Sequence, residues 1–256
     1  MKSYLVTGIT FVFCLFGLWL GSFLVTHNLL PAAHLKETSR EVLKDSVGFI
    51  ATLVALVMGL LVTSAKATFD KSSEKLSEMG ALFIEVDQLL RHYGPESEHS
   101  RRFIHRYVQL SIARIERNRI LDTTGRREHQ VKADDIMNQP IRDLKPSTEV
   151  QQDIKTHVLD AISEIRHARW LLLEESNNPL PTPFLILMFF WLMVLFVGFG
   201  VLAPPNPTVH AALTVCATAM SGTVFLILEM NRPLSGLLRV SVEPLRIASQ
   251  VINRPE

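Results

Sequence analysis

The sequence predicts an all-α integral membrane protein, with four transmembrane helices and a cytoplasmic helical bundle inserted between the second and third spans. Three observations predict this fold. Four apolar stretches are each long enough to cross a bilayer. Charged residues make up 20% of the chain and are concentrated between Lys66 and Glu175. That charged segment also carries apolar residues at helical spacing, which predicts helices. The four apolar stretches make membrane lipid an expected partner.

The first span covers residues 5–30, where His27 is the only residue of the Asp, Glu, Lys, Arg and His types. About 20 apolar residues suffice to cross the roughly 30 Å hydrocarbon core. A cleaved signal peptide is the competing interpretation, because Lys2 precedes the apolar run and Ala32 and Ala33 follow it. The run is longer than a usual signal core, which favours a spanning helix.

The other three spans are residues 46–64, 180–202 and 209–228. Only residues 203–208 separate the last two, and this link contains three prolines, so an antiparallel hairpin is expected. The predicted domains are residues 1–65 with spans one and two, 66–179 as a cytoplasmic helical domain, 180–230 as the hairpin, and 231–256 as a cytoplasmic tail that docks on the bundle.

Lys and Arg residues near the helix ends orient the protein. They follow the second span at Lys66, Lys71 and Lys75, precede the third at Arg166 and Arg169, and follow the fourth at Arg232, Arg239 and Arg246. The middle domain and both termini are therefore expected in the cytoplasm. The first link opposes this orientation, because Lys36, Arg40 and Lys44 would face outside.

The middle domain is expected to be helical. Apolar residues recur in a heptad-like seam that continues the second span as one helix, ended by Tyr93-Gly94-Pro95. A loop or a poorly ordered segment is expected over residues 122–146, and a further helix from Thr148, with Gln151 as its capping-box partner. The seam consists of Phe69, Leu76, Met79, Phe83, Val86 and Leu90.

Several classes of function have no support in the sequence. There is no Gly-rich phosphate loop, His-Glu-x-x-His pair, Gly-x-Ser-x-Gly turn or Cys-x-x-Cys motif, so an enzyme is not expected. Cys14 and Cys216 lie in apolar stretches, and the nine histidines are scattered, so no metal site or cofactor is expected. A formal net charge of +1 gives no basis for nucleic acid as a partner.

The second span carries two different faces. Small residues recur every four positions on one face, which predicts close packing on another helix. The opposite face is apolar in the middle and bears hydroxyl groups at its ends, and it either meets lipid or lines a narrow hydrophobic pore. The small-residue stripe is Ala51, Ala55, Gly59 and Thr63, and the opposite face is Ser46, Ile50, Leu53, Val57, Leu60 and Ser64.

Residues 226–245, at the end of the last span and directly beyond it, resemble the signature of a bacterial bestrophin-like family. The family pattern is a Glu, an acidic or amide residue, Arg-Pro-Phe-Ser-Gly and later Val-Ser-x-Glu-Pro. Leu234 replaces the usual aromatic residue here, and Asn231 stands where Asp is common. The matching residues are Glu229, Arg232, Pro233, Ser235, Gly236, Val240, Ser241, Glu243 and Pro244.

Bestrophins proper are homo-oligomeric anion channels whose second span lines an apolar neck. The resemblance therefore implies a homo-oligomeric, anion-selective ion channel in the bacterial inner (plasma) membrane, with inorganic ions as partners. Its neck would be formed by Ile50, Leu53, Val57 and Leu60. The alternative is a non-conducting membrane scaffold or sensor whose cytoplasmic helices bind a partner through the seam. A transporter is disfavoured, because no span carries a mid-membrane charge.

Overall fold

The computed structural model describes residues 3–27, 29, 37–116, 137–177, 182–204, 206–234 and 236–253. All regular structure within these ranges is helical, which confirms the all-α prediction for this part of the chain. Residues 137–142 form a short helical segment, and a 3₁₀ turn covers Pro95–Ser97. The long helices are α1 Ser3–Thr26, α2 Glu37–Tyr93, α3 Glu98–Glu116, α4 Glu149–Asn177, α5 Thr182–Leu202, α6 Pro207–Met230 and α7 Glu243–Ile252.

Four of these helices are long and apolar enough to cross a membrane, as predicted: α1, α2, α5 over Phe184–Leu202, and α6. Helix α2 begins at Glu37, so most of the predicted link before the second span is helical instead. Opposite charges three residues apart, as in Glu37 and Arg40, favour this extension of the helix.

The chain divides into two compact units. The first unit comprises Met1–Ala67 and Pro179–Asn231, and the second comprises Thr68–Asn178 and Arg232–Glu256. Each unit has its own cluster of buried apolar side chains. In the first unit these are Cys14, Leu18, Val54, Met58, Met188, Leu192, Phe196, Ala217 and Val224.

Helix α1 crosses α5 at very short distance in the first unit. A Cβ atom built on Gly21 would lie 2.2 Å from the carbonyl oxygen of Val197, and one on Gly200 would lie 2.3 Å from the carbonyl oxygen of Leu18. Glycine at both positions lets the two backbones meet, as small residues do between membrane helices. This contact was not predicted from the sequence.

The predicted seam of α2 forms the core of the second unit. Leu76, Phe83, Val86 and Leu90 are each at most 1% exposed. They pack with residues of α3 and α4, with Leu234 and Val240 of the C-terminal segment, and with α7. The seam is therefore covered by the unit's own helices.

Two helix boundaries follow the local sequence signals. Helix α2 ends at Tyr93 because Gly94 adopts a φ of 117°, a conformation that favours glycine. Helix α4 begins after Thr148, whose Oγ1 accepts a hydrogen bond from the backbone N–H of Gln151 at 3.2 Å. The end of α2 and the start of α4 are as predicted, but the side chain of Gln151 accepts its hydrogen bond from the N–H of Ser147 and not from that of Thr148.

The predicted loop over residues 122–146 is wrong in part. Residues 137–142 are helical, and Met137, Ile141 and Leu144 are buried in the core of the second unit. The hydroxyl of Ser100 donates a hydrogen bond to the carbonyl oxygen of Pro140 at 2.8 Å. Tertiary contacts thus stabilise a helical segment in spite of its proline. Residues 117–136, which include the rest of the predicted loop before this segment, lie outside the described residues.

Candidate functional site

One face of α2 packs inside the first unit. Val47, Val54, Met58 and Ala65 are buried there. A Cβ atom on Gly198 of α5 would lie 2.4 Å from a methyl carbon of Val47, so these two helices also touch closely. This packed face lies between the two faces distinguished in the sequence. It is the face that packs inside, because valine and methionine bury more apolar area than alanine or glycine.

The small-residue stripe of α2 is largely open within one subunit. Ala51 is half-buried, whereas Ala55 and Thr63 are exposed. A Cβ atom on Gly59 would have no neighbour within 4 Å among the described residues. The expected contact of this stripe with another helix is therefore not made within the described part of a single subunit.

The six residues of the predicted pore face do not share one environment. Ser46, Leu60 and Ser64 are exposed, whereas Ile50, Leu53 and Val57 are half-buried. Ile50 packs against the buried cluster of the first unit. The face that a single subunit leaves uncovered is therefore rotated away from Ile50.

Two large side chains outside the predicted pore face belong to this uncovered face. Phe49 and Leu56 are 67% and 61% exposed, and Leu60 is 64% exposed. Spacings of seven and four residues place them on the same side of a helix, with Leu53 between them. We call Phe49, Leu53, Leu56 and Leu60 the apolar row. Its seven-residue spacing was the signal available in the sequence.

The apolar row is free of charge and ends in hydroxyl groups. No charged residue occurs between Asp45 and Lys66. The hydroxyl of Ser46 donates to the carbonyl oxygen of Val42 at 2.8 Å, and the hydroxyl of Thr63 donates to that of Gly59 at 2.9 Å. These two hydroxyl groups therefore bond within the helix, and the apolar row presents an apolar surface between the charged ends of the span.

The signature residues after α6 shape a tight turn. The N–H of Gly236 donates to the carbonyl oxygen of Arg232 at 3.1 Å, and the N–H of Val240 donates to that of Pro233 at 2.9 Å. Pro233 is buried, and Glu229, in the last turn of α6, is 3% exposed. Ser235 lies outside the described residues.

The later signature residues hold α7 in the second unit. A Cβ atom on Gly80 of α2 would lie 2.9 Å from the carbonyl oxygen of Pro244, so glycine at this position allows α7 to begin directly on α2. Arg246 forms ion pairs with Glu116 of α3 at 2.5 Å and with Glu243 at 3.6 Å. The hydrogen bond from Arg246 to Glu116 and the charge of Glu116 raise the pKa of the Arg246 guanidinium. The matching residues thus have a structural role in the tail.

A buried carboxylate joins three helices of the second unit. Asp87 is 4% exposed and accepts hydrogen bonds from Nε of Arg91 at 2.8 Å and Nε of Arg101 at 3.0 Å. The guanidinium of Arg91 also donates to the carbonyl oxygen of Ile252 at 3.4 Å. Asp87 therefore links α2 to α3 directly and to the end of α7 through Arg91.

Within the described ranges, no group of three or more His, Cys, Asp or Glu side chains is arranged to hold a metal ion. The side chains on the uncovered face of α2 are apolar or carry hydroxyl groups. The charged side chains that the fold brings together, Asp87 with Arg91 and Arg101, lie in the second unit. The arrangement on α2 offers a surface for lipid, for another helix or for a narrow aqueous path.

Comparison with known proteins identifies the sequence pattern. The Bestrophin-like domain matches residues 13–245. Among solved structures, a mutant of a bacterial bestrophin homolog from Klebsiella pneumoniae is similar in fold, with a TM-score of 0.65 and 10% sequence identity over 99% of this chain and 100% of that chain. A similarity at such low sequence identity shows a shared fold and does not show a shared function. No protein of curated function matches the sequence significantly.

Proposed function

The chain belongs to the bestrophin-like family, and on that premise we propose that several copies assemble around an axis to form an ion channel. The observation that carries this proposal is the uncovered apolar row of α2. A soluble helix would not expose such a row, but a membrane helix can present it to lipid, to a partner helix or to a pore.

A pore in this protein requires more than one copy. The second span has no charged residue between Asp45 and Lys66, so one subunit alone offers no polar path along it. If α2 helices surround an axis, the apolar row forms a constriction that conducts or dewets according to its width. Ser46 and Ser64 would lie at its two ends, with Ile50 and Val57 at its margins.

The small-residue stripe supplies a surface on which neighbouring subunits would pack. Ala55, Gly59 and Thr63 are open in the single subunit and lie beside the apolar row. Small side chains at four-residue spacing allow helix backbones to approach closely in a membrane. We propose that Ala51, at the edge of this stripe, and the three open residues contact the adjacent subunit.

Selectivity and orientation complete the proposal. Anion selectivity is proposed from the similarity to bestrophins. The distribution of Lys and Arg supports a bacterial inner-membrane protein with both termini in the cytoplasm. On this orientation the second unit is a cytoplasmic bundle formed by the chain between spans two and three and by the C-terminal tail.

The hypothesis of a non-conducting scaffold or sensor was motivated by the heptad seam of α2, and the burial of that seam removes this support. A partner-binding surface would need the heptad seam of α2 to be accessible. Phe83 and Val86 are fully buried among helices of the same unit. The seam therefore has an intramolecular explanation, and no second function is proposed.

Recordings from purified protein in a planar bilayer test the channel proposal. We expect currents whose reversal potential, under a chloride gradient, lies close to the chloride equilibrium potential. Replacing Leu56 with alanine should increase the unitary current severalfold, because a shorter side chain widens the constriction and favours its hydration.

The matched control for this experiment is Ile186→Ala on α5. Ile186 is 63% exposed in one subunit, much as Leu56 is, but it lies on a helix that the proposal does not place at the axis. Its substitution should leave the current unchanged. An absence of current from the unmodified protein, or equal effects of the two substitutions, would count against the channel.

A further inference from the structure

The segment after α6 presents two exposed leucines at the tip of a turn. Leu237 is 76% exposed and Leu238 is 41% exposed. The residues on either side, Leu234 and Val240, are 5% and 4% exposed and belong to the core of the second unit. A single exposed leucine is common on protein surfaces, but two in succession between buried anchors indicate a contact surface. We call residues 236–239 the exposed tip.

Three hydrogen bonds hold the exposed tip in its turn. The N–H of Gly236 donates to the carbonyl oxygen of Arg232 at 3.1 Å, and the N–H of Val240 donates to that of Pro233 at 2.9 Å. Nε of Arg239 donates to the carbonyl oxygen of Gly236 at 2.9 Å. Because these backbone groups are bonded within the turn, the tip can enter a less polar layer without leaving them unpaired.

The charge of this segment is positive. Residues 230–242 include Arg232 and Arg239 and contain no Asp or Glu. Arg239 is exposed, and its Nη1 also donates to the backbone carbonyl oxygen of Glu116 at 3.4 Å. Its two bonds to carbonyl oxygens use two of the five N–H groups of the guanidinium. The carboxylate of Glu116 forms an ion pair with Arg246. The segment therefore favours a partner with negative charge.

The chain keeps the exposed tip close to the end of a membrane span. Helix α6, which is long and apolar enough to cross a bilayer, ends at Met230. Leu237 follows Met230 by seven positions, which reach at most about 25 Å when fully extended. The turn between Arg232 and Gly236 shortens that reach. The tip therefore lies within reach of the lipid headgroups at this end of α6.

We propose that the exposed tip docks into the membrane surface beside α6 and binds anionic phospholipid. Leu237 and Leu238 would insert among the upper parts of the acyl chains, where burial removes their apolar surface from water. The guanidinium of Arg239 would remain at the level of the phosphates and donate hydrogen bonds to them. The docked tip attaches the second unit to the bilayer at a point outside the four spans.

A nitroxide label on Leu237→Cys in the full-length protein tests this contact. Cys14 is buried, so only the exposed Cys216 needs to be replaced with alanine before labelling. The protein is reconstituted into vesicles of equal parts phosphatidylcholine and phosphatidylglycerol. Collisions of the label are measured with oxygen, which concentrates among acyl chains, and with a nickel chelate, which stays in water. The ratio of oxygen to chelate collisions should be high at this position.

The matched control is the same label on Val150→Cys, at the start of α4. Val150 is 68% exposed and also belongs to the second unit. The neighbouring Gln151 donates from Nε2 to the carbonyl oxygen of Tyr93 at 3.0 Å, at the end of α2 opposite to its apolar span. The collision ratio at Leu237 should exceed that at Val150 at least about threefold, because only the exposed tip enters lipid. Equal ratios at the two positions overturn the proposal, and so does a label at Leu237 that neither reagent reaches, because a second copy of the chain would then cover the tip.

Substitutions of Arg239 test the recognition of negative charge. Arg239→Gln, or vesicles of phosphatidylcholine alone, should lower the collision ratio at Leu237 severalfold, because the attraction to anionic lipid is lost. Arg239→Lys keeps the positive charge and should retain most of the ratio. Anionic lipid is not the ligand if the ratio is the same in both kinds of vesicle, or if Arg239→Lys lowers it as far as Arg239→Gln does. No current is measured, so the result is independent of the channel proposal.

Discussion

Replacing Gly21 with alanine should destabilise the first unit by about 3 kcal/mol or more, because overpacking here meets backbone atoms that cannot rotate away. The new Cβ atom would lie 2.2 Å from the carbonyl oxygen of Val197 and 2.8 Å from the amide nitrogen of Val201. Helix α1 could accommodate it only by separating from α5. Thermal or denaturant unfolding of the full-length protein in detergent measures the loss.

The same helix provides the control substitution. A Cβ atom on Gly8 has no neighbour within 4 Å among the described residues. Gly8→Ala should therefore leave stability unchanged or raise it by up to about 1 kcal/mol, since alanine is the better helix former. Equal losses from the two substitutions would contradict the described contact between α1 and α5.

Replacing Asp87 with alanine should destabilise the second unit by about 3 kcal/mol, since removal of one partner leaves buried charge uncompensated. Asp87 is 4% exposed and receives hydrogen bonds from Arg91 and Arg101. Without the carboxylate, two guanidinium groups whose side chains are each 24% exposed would lose the negative charge that they share. Hydrogen exchange of the backbone amides should show faster opening of α2, α3 and α7.

An exposed ion pair on α2 is the comparison for Asp87. Lys75 and Glu78 lie 2.6 Å apart, with side chains that are 31% and 42% exposed. Glu78→Ala should cost less than about 1 kcal/mol, because water can solvate the ammonium group of Lys75 that remains. The account of Asp87 fails if its removal costs no more than the removal of Glu78.

The spans and several helix ends were predictable from the sequence because they depend on local chemistry. Long uncharged stretches are costly to hydrate, so the four membrane helices follow from composition. Gly94 ends α2 through its own backbone preference, and Thr148 and Gln151 form a local cap. No distant residue is needed for these features.

The contacts between helices could not be predicted in the same way. The four-residue spacing of Gly17 and Gly21 is visible in the sequence, but its significance depends on Gly200, which lies in a distant span. On α2, the sequence shows small and large residues on different sides. It does not show that Val47, Val54 and Met58 are the residues that pack inside the subunit.

The helical segment 137–142 illustrates a further limit of local patterns. Pro140 and Pro146 favour a loop by their own propensities. Burial of Ile141 and the hydrogen bond from Ser100 to Pro140 stabilise a helical turn all the same.

Single-particle imaging of the purified protein, viewed along the membrane normal, tests the central claim most directly. The account predicts a closed ring of subunits around an axis, with α2 as the innermost helix. Phe49, Leu56 and Leu60 should point toward the axis, and the stripe with Gly59 should face the adjacent subunit. A monomer, or a ring whose innermost helix is α1, α5 or α6, would contradict the account.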